Sequence, residues 1–314
     1  MLAMAPSAIE QAYYERESSG GHRGFGIMLL RVVGVLIAAT LACAVAYGVR
    51  AEPRPADACK HAEFRVVVDV GHTAQAPGAT SARGFPEFSF NLNLAKRIEQ
   101  QLLAAGFRRS VLLITEGPSQ QALAKRVKRA NDLGADLFLS IHHDSVPDRF
   151  LEKWEFEGKQ HTFSDRFHGH SIFISNDNSD RAGSLLFARS LGNELKKREL
   201  QYTPHYTERY MGHRQRLLVD AQAGVYRYDE LIVLRDTDMP AVLLEAGSII
   251  NREEELRMGS VERQALISAA VTDAVEAFCA GRRPRASINV ASRAGKVSRQ
   301  ATAPATPGRT IKQR

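Results

Sequence analysis

The stretch Val66-Val-Val-Asp-Val-Gly-His72-Thr-Ala-Gln-Ala-Pro-Gly-Ala79 runs from an oily segment through a glycine into a loop that opens on histidine. Valine-rich and without polar alternation, its first part predicts a strand covered on both faces, as in a parallel sheet. The pattern returns in Leu137-Phe-Leu-Ser-Ile-His142 and in Ala241-Val-Leu-Leu-Glu245, where each oily run also delivers a titratable side chain at its carboxyl end. A lone histidine in such a place is either a ligand or a polar residue closing a strand. The surrounding sequence has to decide between them.

Outward from this strand, set at 64–70, oily runs alternate with helical periodicity. Leu94, Ile98 and Leu102 share a face of a helix over 91–105 that stops at Gly106. Val111–Thr115 is a strand, and Leu123, Val127 and Ala130 mark a helix over 119–133 joined by Gly134-Ala135 to the strand 136–142. Strands over 171–175, 231–234 and 241–245 and helices over 184–200 and 261–280 follow, with Asn251 capping the acidic turn Glu253-Glu-Glu255. The expected fold class is α/β, a three-layer αβα arrangement with a mostly parallel central sheet of about six strands. No dinucleotide-binding G-x-G-x-x-G occurs. Two connections, 146–169 and 201–229, are too long for simple loops and read as insertions.

Residues 60–280 thus form one domain between two different flanks. Val32–Val49 is uncharged and ends near small residues, so 1–51 is expected to be an export segment, a signal peptide or a signal anchor. The net charge of +7 is concentrated at the other end: 281–314 holds nine Lys or Arg and no acid, against 33 basic and 35 acidic residues elsewhere. This argues against a specific nucleic-acid partner. It predicts a disordered basic tail, with weak contact to an anionic polymer or membrane as its functional reading. Export leaves Cys59 and Cys279 in an oxidising compartment, where they either pair or stay as buried thiols.

In open α/β sheets, functional groups gather beyond the carboxyl ends of strands. His72, His142 and Glu245 stand there, and Glu87 lies in the loop ahead of the next helix. Two histidines and one carboxylate match a catalytic zinc site with an open position, and a second carboxylate suits a proton shuttle. The spacing alone leaves the structural reading open, because no local H-E-x-x-H fixes the ligands on one helix.

Four ordered blocks carry a family resemblance: Asp69-Val-Gly-His72; Glu87-Phe-Ser-Phe-Asn91; Arg129-Ala-Asn-Asp-Leu-Gly-Ala-Asp136 running on to His142; and Val233-Leu-Arg-Asp-Thr-Asp-Met-Pro-Ala-Val-Leu-Leu-Glu245-Ala-Gly-Ser-Ile-Ile-Asn251. Together they resemble the zinc-dependent N-acetylmuramoyl-L-alanine amidases of bacterial wall turnover, over about 64–280. The resemblance implies one Zn2+ per chain on His72, Glu87 and His142, with Glu245 as the catalytic carboxylate. It also implies peptidoglycan or muropeptides as substrate and a location in the periplasm or cell envelope.

The sequence departs from that pattern where Thr73-Ala-Gln replaces the usual glycines and Ala246 follows Glu245. A short loop also stands where some relatives place an inhibitory helix. Asp69, His143 and Asp144 are possible supporting or pocket residues. His161, His168 and His170 form a rival cluster in or beside the first insertion, and Trp154 is either a sugar platform or an anchor. Two other functions fit the same residues: a zinc peptidase acting within the stem peptide, and a wall-binding module with a degenerate site.

Overall fold

A computed structural model describes residues 59–282; the expected export segment and nearly all of the basic tail lie outside them. A seven-stranded sheet forms the middle layer, in the order β2-β1-β3-β9-β6-β8-β7. Its strands are β1 (Val66–Val70), β2 (Val111–Leu113), β3 (Leu137–Asp144), β6 (Ser171–Ile174), β7 (Leu217–Asp220), β8 (Val225–Arg227) and β9 (Ala241–Ser248). Pairings are parallel from β2 through β9 and between β6 and β8, whereas β6–β9 and β7–β8 are antiparallel. All five residues of β1 are buried, as expected for a strand with both faces covered.

Helices α1 (Glu87–Ala104), α3 (Arg181–Lys197) and α6 (Val261–Gly281) cover one face. There Leu94, Ile98, Phe187, Leu191, Val271 and Phe278 meet Val66, Val68, Ile141 and Leu244. The other face carries α2 (Ser119–Leu133) and the short α4 (Ile232–Arg235), with Tyr206 and Met211 from the 201–229 segment completing the layer over Phe138, Tyr226 and Leu243. Helix α5 (Arg252–Gly259) follows β9 and is capped by Asn251, whose side-chain oxygen accepts from the amides of Glu253 and Glu254.

The fold class is the one expected, with the strands distributed differently. The oily run Leu231–Leu234 is not a strand: it enters the helical turn Ile232–Arg235, with Leu231 as its N-cap. The supposed insertion 201–229 supplies both β7 and β8, which are too short to stand out in the sequence. The 146–169 segment is a separate two-stranded hairpin, β4 (Glu152–Phe156) with β5 (Lys159–Phe163). Trp154 anchors it: the indole N–H donates to the Ala82 carbonyl at 2.9 Å, and the Arg83 and Arg252 guanidinium groups lie 5.4 and 5.3 Å from the ring centroid.

Helix α1 starts four residues earlier than its apolar spacing suggests. Pro86 sits in extended geometry before it, and Glu87 occupies the first turn, where an acid suits the positive end of the helix dipole. At the opposite end of the domain, Cys59 and Cys279 are joined by a disulfide, Cα atoms 5.1 Å apart, tying the start of the domain to the end of α6 across 220 residues. A crosslink closing so long a loop restricts the unfolded chain strongly. Replacing both cysteines by alanine should lower unfolding free energy by about 2–5 kcal/mol. Urea unfolding under non-reducing conditions checks this, and an unchanged midpoint would show that the crosslink contributes nothing.

Candidate metal and active site

The loop after β1 turns sharply at His72, whose φ of +66° lies in the left-handed region that side chains rarely adopt. Such a residue costs on the order of 1–3 kcal/mol and persists only where its surroundings over-determine it. Here the constraint is Arg126 of α2, which is buried and donates to the carbonyls of both Val70 (3.1 Å) and His72. Its Nε also lies 3.1 Å from Asp69 Oδ1, while Asp69 Oδ2 accepts from Ser140 Oγ at 2.7 Å. Burial pushes the Asp69 carboxyl up, and the Arg126 charge opposes that. Asp69 therefore acts on the histidine loop through Arg126; it makes no hydrogen bond to either candidate ligand ring.

Glu87 is the meeting point. Its Oε2 lies 3.0 Å from His72 Nε2 and its Oε1 3.0 Å from His142 Nδ1. Together one atom from each of the three residues falls within 4.8 Å of the others. The Glu87 oxygens also accept from Ala79 N (3.1 Å), Asn91 Nδ2 (3.1 Å) and His143 N (3.3 Å). Burial alone would raise its proton affinity, but hydrogen bonds to His142 and His72 and their charges outweigh it and hold the carboxyl well below its usual range. Glu87 is thus an anion at neutral pH. Its place on the helix explains the reach: Glu87 is in the first turn of α1, beside the strand ends, and Asn91, one turn on, steadies it.

Two glycines make room for this cluster. A Cβ on Gly71 would stand 2.4 Å from the His142 ring, and one on Gly78 would stand 2.4 Å from Glu87 Oε2 and 2.6 Å from the His72 ring. The donor set fits zinc. Two imidazoles and one carboxylate, each offering an atom within 4.8 Å of the others, are the ligand types and number of a catalytic zinc site with an open position.

Glu245 stands directly beside His142 in the β3–β9 register, so the two side chains project from the same face. One carboxylate oxygen, Oε2, is buried and has no hydrogen-bond partner among the described residues. Burial, then the negative charges of Asp144 and Glu87, raise its proton affinity well above the usual carboxylate range. The register slips just past this pair, where β9 takes an extra residue before Ser248 meets Asp144. A bulge at this point re-aims the end of the strand.

Residues 66–277 match the family model described as N-acetylmuramoyl-L-alanine amidase. The chain belongs to the N-acetylmuramoyl-L-alanine amidase family. A Buchnera aphidicola protein named for that amidase is 24% identical over 217 residues, covering 68% of this chain and 95% of its own length. The AmiC amidase of Neisseria meningitidis is 25% identical over 223 residues, and there the chain spans only about half the relative, 52%. Among solved structures, the Ami1 amidase of Mycobacterium smegmatis superposes with a TM-score of 0.53 at 18% identity, covering 70% of this chain and 98% of that one. That likeness shows a shared fold.

The other candidate residues of this amidase fall into distinct places. His143 is not part of the His72–Glu87–His142 group: its Nδ1 lies 2.8 Å from Asn91 Oδ1, and burial lowers its pKa to about 4. His161, His168 and His170 form no metal-binding group among the described residues, where the His72–Glu87–His142 set is the one such group. Asp144 lies beneath residues that sequence reasoning missed altogether. Tyr206 OH donates to both of its oxygens at 2.8 Å, and Arg214 Nη2 donates to Oδ1 at 3.1 Å. No local signal could have found that pair, because the partners are 62 and 70 residues away. Arg126 did leave a signal: it shares a buried stripe with Ala122 and Ala130 at four-residue spacing, and an arginine in an apolar stripe calls for a buried acid.

Removing Arg126 should strand the Asp69 charge. Arg126→Met is expected to cost about 3–5 kcal/mol of stability, the usual penalty for breaking one side of a buried ion pair. Adding Asp69→Asn should recover a substantial part of that loss. Denaturant unfolding of the two single variants and the double variant measures the coupling, and simple additivity would show that the two residues act independently.

Proposed function

We propose that this chain is an exported, zinc-dependent peptidoglycan amidase that cleaves the amide between the lactyl group of N-acetylmuramic acid and L-alanine. The observation that carries the reading is the convergence of His72, Glu87 and His142 beside a buried Glu245 oxygen that has no partner. Membership of the amidase family supports the scissile bond. The segment 1–51 serves as the export signal in this reading and 60–280 as the catalytic domain. No helix among the described residues is long and apolar enough to cross a membrane.

His72, Glu87 and His142 would hold the zinc ion. When bound, zinc supplies Lewis acidity that polarises the amide carbonyl and makes a water a stronger nucleophile at neutral pH. The protein's own residues do the rest. Glu245 takes a proton from the attacking water as the carbon–oxygen bond forms, and its raised proton affinity lets it keep that proton. It then delivers the proton to the alanine nitrogen as the carbon–nitrogen bond breaks, so that the amine leaves neutral. Arg126 and Asp69 keep His72 in place, and Asn91 keeps Glu87 aligned.

Separate roles predict separate failures. Glu245→Gln should reduce turnover at least a thousandfold while zinc content stays near one per chain, whereas His72→Ala should lose most of the metal. Elemental analysis of the purified variants, paired with mass spectrometry of wall digests, reads both quantities. Equal metal loss in the two variants would contradict the division of labour. Digests in which stem peptides are shortened but stay attached to muramic acid would assign a peptidase instead.

A further inference from the structure

Arg214 is a charged group beside the site for which the hydrolytic steps have no use. It comes from the 201–229 segment and is fixed along one edge. Its Nη2 donates to Asp144 Oδ1 at 3.1 Å and to Tyr206 OH at 3.2 Å, and its guanidinium lies 5.9 Å from the Tyr206 ring centroid. Both supports are buried, Asp144 at 3% and Tyr206 at 4% exposure, and Tyr206 is locked to both Asp144 oxygens. Arg214 itself keeps 30% of its side chain exposed, and among the described residues it makes no other hydrogen bond. Its Nε and Nη1 carry no hydrogen bond among the described residues. Asp144 follows His142 by two residues on β3 and pairs with Ser248 just past Glu245 on β9, so its partner Arg214 stands at the same strand ends as the candidate site.

A guanidinium held through Nη2 keeps Nε and Nη1 as charged donors in a fixed plane for a carboxylate, an orientation that a lysine ammonium cannot reproduce. We propose that Arg214 is a specificity residue of this amidase, binding a free carboxylate on the stem peptide within a residue or two of the scissile amide. The proposal rests on the amidase reading and adds to it a preference for acidic over amidated peptides.

The test uses the zinc-loaded full chain and two synthetic muramyl peptides that differ only in that carboxylate, free in one and a primary amide in the other. The wild type should favour the free acid, through KM. Arg214→Gln should lose about ten- to a hundredfold more in kcat/KM on the free acid than on the amide, the usual scale for a charge-assisted hydrogen bond. Arg214→Lys should fall between. Equal losses on both substrates, a loss confined to kcat, or a wild type indifferent to amidation would each overturn the proposal. Calorimetric binding of the same two peptides to Glu245→Gln protein gives a readout without turnover. If neither peptide is hydrolysed by the wild type, the amidase reading fails by itself, and equal affinities in calorimetry still decide against Arg214.

Discussion

A carboxylate that is only 4% exposed cannot remain ionised without partners, and the arrangement around Glu87 is the set of partners it requires. Two imidazoles, two backbone amides and the Asn91 amide converge on its two oxygens. Those partners come from the loop after β1, the end of β3 and the first turns of α1, so one charge ties three elements together. The neighbouring glycines follow from the same demand. At Gly71 and Gly78 any side chain would occupy the space that the imidazole rings and the carboxylate need.

A second buried charge constrains the same loop from below. Arg126 spends its N–H groups on the Val70 and His72 carbonyls and sets its Nε against Asp69. In this way α2, which contributes no candidate ligand, determines the backbone turn that presents His72. Its apolar residues hold the helix against the sheet, and its one buried guanidinium converts that packing into the position of a ligand. The left-handed φ at His72 is the local cost of aiming an imidazole at Glu87, and the Arg126 hydrogen bonds offset it.

What was legible in the sequence follows from range. Strands that end on titratable residues, separated by helices of apolar period, are local patterns, so the layers of the fold and the placement of His72, His142 and Glu245 at or just past strand ends could be read directly. The start of α1 was misplaced because Glu87 and Asn91 break the apolar spacing while doing polar work, and Pro86 with Glu87 was the better signal. Strands β7 and β8 were hidden in a supposed insertion because three- and four-residue strands carry too little periodicity. Tyr206 and Arg214 were invisible for a different reason: their meaning depends on Asp144, and only the fold brings that residue beneath them.

The two glutamates illustrate how one scaffold assigns opposite tasks to the same functional group. Both are shielded from water, and burial pushes each toward its neutral form. At Glu87 hydrogen bonds to two histidines reverse that push, leaving an anion suited to hold a cation. At Glu245 the negative charges of Asp144 and Glu87 reinforce that push and outweigh the opposing charge of Arg214, so its proton affinity is raised. The ionisation of one carboxylate therefore helps to tune the other. Environments that drive two acids apart in proton affinity are a physical basis for separating a ligand from a proton shuttle, the roles proposed for Glu87 and Glu245, and the difference arises from which residues face each carboxylate.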